Sequence, residues 1–369
     1  MRVTNITSFY AEERPAYIVR IDTDEGIFGH GECSPMHVGG ILQLMRDRAA
    51  SLVVGADPLQ ITMLEEKFLK QNYKIAGQLP AMTWSGIDQA LWDIRAKAAG
   101  QSVQASLGGS VRDSVPYYGS SMSRHLSPEQ EAEKILAAVA LHGFRAVKIK
   151  IGKRMAEAPG MPDFRADALK VRRIREAIGP DIQIFVDGNS AYTAAQALQV
   201  WDRIREYDVA LFEEPCPFQD LEAYAALAGR LPVPVNVGEQ DWSLYTVRDF
   251  LLRGGCQHVG LDVTKCGGFS NAVRVATLCR AFGVQYVPHD TSRGIGFTAT
   301  HHLAICLPEC SGYQEYSIEN PDSRDRYVLN RLIPMNGVVE KASGVGIGVE
   351  MDEERMRREM QVVSHLPGA

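Results

Sequence analysis

Eight ionisable side chains stand where short apolar runs end: Lys148, Lys150, Asp187, Glu213, Glu239, Asp262, His289 and Glu315. The carboxylates carry the first signal. Asp187 lies 26 residues before Glu213, and Glu213 lies 26 before Glu239. One strand–helix unit of an eightfold α/β barrel takes about 31 residues, so each step is one compact unit and the three acids fall on three successive strands. Three carboxylates sharing a small volume need a cation to stay ionised. An all-oxygen set with room for water and substrate suits Mg²⁺, with Mn²⁺ the alternative. The competing reading pairs each acid with its own Lys or Arg.

The other ionisable residues would supply proton transfer. Lys148 and Lys150 share one face of a strand, because strand side chains alternate. Two like charges so close disfavour each other's protonation, which would leave one as a neutral amine able to act as a base. Lys150 is placed deeper towards the strand end. His289 follows Asp262 by 27 residues, one strand over. A carboxylate on imidazole Nδ1–H fixes the tautomer and gives an acid–base dyad. Glu315, if burial raises its pKa, could donate a hydrogen bond to a developing enolate oxygen.

These positions require a parallel barrel. Eight apolar runs, at 115–121, 146–152, 182–189, 210–215, 234–240, 258–265, 284–290 and 312–317, alternate with amphipathic stretches, and that alternation predicts an α/β fold closed into a barrel. Helix starts are marked by capping boxes at Ser127/Gln130 and Thr193/Gln196, and helix ends by Gly143 and Gly283. Before residue 115 the pattern differs, with strands expected at 2–9, 16–23 and 26–32 and helices after them. A chain of 369 residues exceeds the size at which one core stops growing, so two domains are expected. The division is placed at 1–114, 115–319 and 320–369, the last segment returning to the first with a further strand and helix.

Composition excludes some partners. The net charge of −6 gives no electrostatic reason to expect nucleic acid or an anionic membrane. There is no apolar run of membrane-spanning length and no signal-peptide core at the start. Seven cysteines without a CxxC pair point to a reducing, cytoplasmic setting and not to zinc. Gly344, Gly346 and Gly348 lack the spacing of a dinucleotide loop, and no HxH pair marks a metal-dependent hydrolase.

At the level of motifs, KIKIG, VDGN, FEEP, GEQ, LDVTKCGG and VPHD, with WSGIDQALWDIRAKAAGQSVQASLGG before them, resemble the enolase superfamily and within it the mandelate racemase subgroup. The resemblance covers nearly the whole chain. It implies an α+β capping domain on a modified TIM barrel, (β/α)7β. It implies Asp187, Glu213 and Glu239 as Mg²⁺ ligands, Lys150 as a base tuned by Lys148, and His289 with Asp262 on the opposite face. Glu315 would stabilise the enolate, and Asn189, Lys148 and Glu315 would contact substrate. Glu214 is not carried over as a ligand, and Lys265, three residues past Asp262, is expected to face away. Loops 11–15, 33–40 and 153–164 would read the substrate. The implied reaction is dehydration of a sugar acid (aldonate or aldarate) to a 2-keto-3-deoxy acid through an enediolate, in a homo-oligomer. Racemisation or epimerisation of a 2-hydroxy or amino acid, lactone cycloisomerisation and a non-catalytic metal-binding barrel remain open alternatives.

Overall fold

The computed structural model describes residues 1–11, 16–155, 162–319 and 325–366. Most of the loop expected at 11–15, and the middle of that at 153–164, lie outside the described residues.

The first strands are β1 (Val3–Ala11), β2 (Ala16–Thr23) and β3 (Phe28–Glu32). They form an antiparallel sheet whose fourth member, β13 (Gln361–His365), comes from the far end of the chain and pairs with β1. Helices α1 (Val38–Leu44), α2 (Ala50–Val53), α3 (Ile61–Gln71) and α4 (Gln78–Ala98) cover this sheet. The pair has its own apolar core, in which Phe68 stacks on Trp84 with ring centroids 5.2 Å apart.

Helix α4 is buried on nearly all sides, because it lies between the cap sheet and helix α11 (Gly268–Ala281) of the barrel. Its approach to β3 depends on glycine. A Cβ at Gly31 would stand 2.0 Å from the Gly86 carbonyl oxygen, and one at Gly29 would stand 2.1 Å from that of Ala90. Buried Asp88 then fastens α4 to α11, accepting from Ser270 Oγ at 2.5 Å and Ser270 N at 3.1 Å.

All eight expected barrel strands are present. They are β4 (Ser114–Ser120), β5 (Ala146–Lys150), β6 (Gln183–Asp187), β7 (Val209–Glu213), β8 (Val235–Val237), β9 (His258–Val259), β10 (Gln285–Tyr286) and β11 (Gln314–Ser317). The parallel order runs β11-β4-β5-β6-β7-β8-β9-β10. Among the described residues no ladder joins β10 to β11. There the Asp290 N–H donates to Glu315 Oε2 at 3.0 Å and the Tyr286 N–H to the Glu309 carbonyl at 3.2 Å. Strand β12 (Val338–Glu340) pairs antiparallel with β4, so this part of the C-terminal segment lies on the barrel, whereas β13 lies on the cap.

The local signals read as expected. Ser127/Gln130 and Thr193/Gln196 form reciprocal capping boxes, Gly143 ends α6 (Pro128–His142) with φ +73°, and Gly283 has φ +68°. All seven cysteines are buried and free. Among the described residues no helix is long and apolar enough to cross a membrane.

The β3–α4 contact yields the first prediction. Gly31→Ala places a methyl against rigid backbone and should destabilise the protein by about 1–3 kcal/mol or more. Urea unfolding should show the midpoint falling with the slope unchanged; an unaltered midpoint would mean that the two elements do not need this close approach.

Candidate metal centre and acid–base site

Parallel register places the acids. Lys150 pairs with Asp187 across β5 and β6, and Asp187 pairs with Glu213 across β6 and β7. Three ionisable residues therefore form one row at one height, with side chains on one face of the ladder. Glu239 follows two residues after the end of β8. Each of Asp187, Glu213 and Glu239 is buried, and each offers an oxygen within 4.8 Å of the others. Beneath them Tyr118, Phe185 and Leu211 cluster inside the barrel and line a cavity of about 270 Å³, and Lys148 Nζ lies 5.4 Å from the Tyr118 ring centre.

Cations and acids alternate through this space. Lys148 Nζ is 2.7 Å from Glu213 Oε1, 2.8 Å from Glu315 Oε1 and 3.7 Å from Asp187 Oδ2. Lys150 Nζ donates to Asp187 Oδ2. On the other side His289 Nε2 faces Glu239 Oε2 at 3.2 Å, and His289 Nδ1 lies 2.9 Å from Asp262 Oδ2. Thr264 holds the remaining oxygen of Asp262 through its N–H at 2.7 Å and its hydroxyl at 2.6 Å. The acids thus have an amine at one end and an imidazole at the other.

Three expectations change here. The lysine pair was expected to lower its own affinity for protons. Burial does push Lys148 down, but Glu213, Glu315 and Asp187 outweigh it and hold this ammonium well above its ordinary range. The mutual lowering expected of the pair is thus outweighed at Lys148, whereas the base was placed on Lys150. Glu315 was expected to be neutral. Burial raises it, but Lys148, His289 and Lys150 prevail and bring it down to about 2, opposite to the raised carboxyl that a hydrogen-bond donor needs.

Lys265 is the third. It does not face away: its buried Nζ is 3.5 Å from Asp262 Oδ2 and 3.3 Å from the Glu239 carbonyl. The reason is that β9 ends at Val259. Asp262 instead opens a turn in which the Lys265 and Cys266 N–H groups both bond to its carbonyl at 2.9 Å, so residue i+3 returns to the side of residue i. The glycines at 267 and 268, with φ +104° and +78°, were the available sign that the strand had already stopped.

Two further residues are placed by the structure. Asn189, with φ +42°, sits at the rim, where its Oδ1 accepts from Arg124 at 2.9 Å and its N–H donates to Asp187 Oδ1 at 2.8 Å. Sequence reasoning set Glu214 aside as a ligand, and it is not part of the three-carboxylate cluster. It is nevertheless buried beside that cluster with φ +36°, and burial plus the charges of Glu239, Asp187 and Glu213 push its carboxyl well above the usual range.

The donor set fits a hard divalent cation. All three groups are carboxylates, and Glu239 Oε2 is buried without a hydrogen bond. Glu213 is pushed up to about 7 by burial; Lys148 opposes the shift, and Asp187, Glu315 and Glu239 add to it. A second positive charge at the cluster would relieve that repulsion.

Known proteins carry the same organisation. A family model described as mandelate racemase / muconate lactonizing enzyme, N-terminal domain, matches residues 4–108, and one described as enolase C-terminal domain-like matches 130–355. A D-galactarolactone cycloisomerase of Agrobacterium fabrum is 31% identical over 362 residues, covering 94% of this chain and 91% of that protein. A D-galactonate dehydratase of Xanthomonas oryzae is 29% identical over 368 residues, covering 97% and 94%. The crystal structure of a mandelate racemase/muconate lactonizing protein from Paracoccus denitrificans, complexed with magnesium, superposes with a TM-score of 0.90 at 27% identity, covering 98% of this chain and 99% of that one.

A divalent cation at a hundred times its Kd should stabilise the fold by about 2.7 kcal/mol. Glu239→Gln should weaken binding by more than the ~10–100-fold typical of an outer-shell partner, and so remove most of the rise in unfolding temperature. Calorimetric titration with Mg²⁺ and with Mn²⁺ checks both, and unchanged binding in the variant would remove Glu239 from the ligand set.

Proposed function

The chain belongs to the mandelate racemase / muconate lactonizing enzyme family of the enolase superfamily, and from that premise we propose that it is a Mg²⁺-dependent hydro-lyase converting a sugar acid to a 2-keto-3-deoxy acid. The observation that carries this reading is the row of acids with a lysine at one end and a histidine–aspartate pair at the other. Such a row accepts a carboxylate substrate and offers a proton-transfer group to each of its faces.

In this reading Asp187, Glu213 and Glu239 hold the cation. Bound there, it would neutralise the substrate carboxylate and favour the extra negative charge that arises when the α-proton leaves. Lys150, as the free amine, takes that proton, and the C–H electron pair moves into the bond between Cα and the carboxylate carbon, giving the enediolate. Lys148 stays charged and attracts the carboxylate, since Glu213 and Glu315 fix its position. Glu315, ionised, orients Lys148 and the Asp290 N–H. It is a supporting group, not a proton donor.

His289 Nε2 delivers a proton to the β-hydroxyl as the C–O bond breaks, so the group departs as water. The electron pair of the enediolate forms the new double bond, and the enol tautomerises to the keto acid. Asp262 keeps the imidazole in the tautomer with a proton on Nδ1 and stabilises its charged form. Asn189 and its Arg124 partner line the rim, where a sugar-acid hydroxyl would meet them. The same proposal includes the division at 1–114, 115–319 and 320–369 and a homo-oligomeric assembly.

A second reading is lactone cycloisomerisation. The 31% identical relative of that name supports it. The same base would act and the leaving group would be the ring oxygen. Substrate form separates the two: a cycloisomerase consumes the lactone and leaves the open acid.

D-galactonate, D-galactarolactone and a panel of aldonate and aldarate diastereomers, incubated with Mg²⁺ in D2O, provide the test. Keto acid from an open-chain acid is expected. Lys150→Ala should lose about 10²–10⁴-fold of the rate. His289→Asn should lose keto product while retaining α-deuterium exchange. Deuterium exchange without product in the unaltered enzyme would replace dehydration by racemisation or epimerisation.

A further inference from the structure

The acid–base pair on the histidine side is contributed by barrel loops, yet the loops that carry it are also held from the cap. Asp262 and His289 lie just beyond β9 and β10, barrel strands of only two residues each. The parallel hydrogen bonds run on through the Gly260 N–H to the Val237 carbonyl at 2.7 Å and the Val287 N–H to the Val259 carbonyl at 2.8 Å, and so end two residues before each side chain. Something else has to hold the two loops in register, because a dyad works only while Nδ1 stays within hydrogen-bond reach of the carboxylate.

The last residue of cap strand β3 fills that place. Buried Glu32 accepts from Ser292 Oγ at 3.0 Å (Oε1) and 2.9 Å (Oε2), and from the Gly296 N–H at 2.8 Å. Gly296 lies in the first turn of α12 (Ile295–Cys306), where a carboxylate also meets the positive end of the helix dipole. From Ser292 the contacts lead back towards the histidine. The Ser292 N–H donates to Asp290 Oδ1 at 2.7 Å, and the Asp290 N–H donates to Glu315 Oε2 at 3.0 Å. Asp290 is the next residue after His289.

The Asp262 loop is held from the same strand end. Buried Gln89 of α4 accepts from the Glu32 N–H at 3.1 Å and donates to the Glu32 carbonyl at 3.0 Å and the Val263 carbonyl at 3.2 Å. The neighbouring Ser34 N–H donates to the Thr264 carbonyl at 2.9 Å. Val263 and Thr264 come directly after Asp262. One cap strand end thus grips both halves of the dyad, the aspartate through Gln89 and Ser34 and the histidine through Ser292.

We propose that Glu32 is a positioning residue for the His289–Asp262 pair: the cap carboxylate clasps the His289 loop through Ser292 and Gly296 while its backbone, through Gln89, holds the Asp262 loop. Glu32 touches no reacting atom. Its effect falls on the step that needs the imidazole in place, and not on proton removal by Lys150, whose strand is held by a full ladder to β6. The proposal rests on the reading of His289 as the acid of the elimination.

Two variants test it, Ser292→Ala as the mild one and Glu32→Ala as the full one, with Glu32→Gln as the conservative control. With D-galactonate, or the first acid of the panel that is turned over, Ser292→Ala is expected to lower keto-acid formation about tenfold, or ~1.4 kcal/mol. Glu32→Ala should lower it further, and α-deuterium exchange should stay within about twofold in both. Glu32→Gln keeps a group that can accept from Gly296 N–H and donate to Ser292, and should restore most of the loss. An equal fall in exchange and elimination would reduce the contact to general stability and overturn the proposal, as would full elimination activity in Glu32→Ala. Amide hydrogen exchange of residues 286–296 reads the clasp without substrate. It should quicken in Ser292→Ala while β5 stays protected, and no change there would also overturn it. A failure of the functional reading looks different: His289→Asn itself would then keep full elimination activity.

Discussion

Charge compensation inside the barrel is the constraint on which the rest of this structure depends. Asp187, Glu213, Glu239, Asp262 and Glu315 are all buried, at a depth where an unpaired carboxylate is costly. The chain answers with Lys148, Lys150, Lys265 and His289, delivered to the same few ångströms. The arrangement is uneven. Lys148 is shared among three acids, while burial and neighbouring carboxylates push Glu213 and Glu214 above the usual carboxylate range. That residual excess of acid makes the centre a receptor for a cation and, through it, for a substrate carboxylate.

Parallel pairing makes such an arrangement possible. In a parallel ladder neighbours at one height keep one facing, so a single register sets Lys150, Asp187 and Glu213 side by side without help from loops. The histidine half has only a short ladder, because β9 and β10 are two residues long, and its bonds end two residues before Asp262 and His289. The cap supplies order there. It can do so because Gly29 and Gly31 let α4 lie directly on β3, which brings Gln89 and Glu32 to one point above the barrel mouth. The glycines, the helix and the dyad are one mechanical chain.

Legibility in the sequence divides along the same line. The eight strands, the capping boxes and the lysine–aspartate–glutamate row were legible, because period-two alternation and a repeat of 26 residues are local signals. Lys265 was misjudged because that alternation was extended beyond Val259, where the backbone had already turned. The balance of charge around Lys148 and Glu315 was not legible for another reason. Sequence shows that two lysines are close but not that three acids from other strands surround one of them, and the nearer opposite charges decide the sign. Glu32 and Ser292, 260 residues apart, carry no local pattern that would join them.

The two ends of the acid row also differ in how they can govern the outcome. Lys150 stands on a strand, and its motion is limited by the same ladder that fixes the metal ligands. His289 stands on a loop, and its partner oxygen, Asp262 Oδ2, is shared with Lys265 at 3.5 Å. In the proposed reaction, removal of the α-proton would be tied to the β5–β6 ladder. The fate of the enediolate, whether a proton is returned to carbon or given to a leaving oxygen, would depend on a side chain held by cap–barrel contacts and beside a competing ammonium. Relatives named as dehydratase and as lactone cycloisomerase are the outcome such a division would produce. On that proposal the step common to both would belong to the ladder, and the step that differs to the loops.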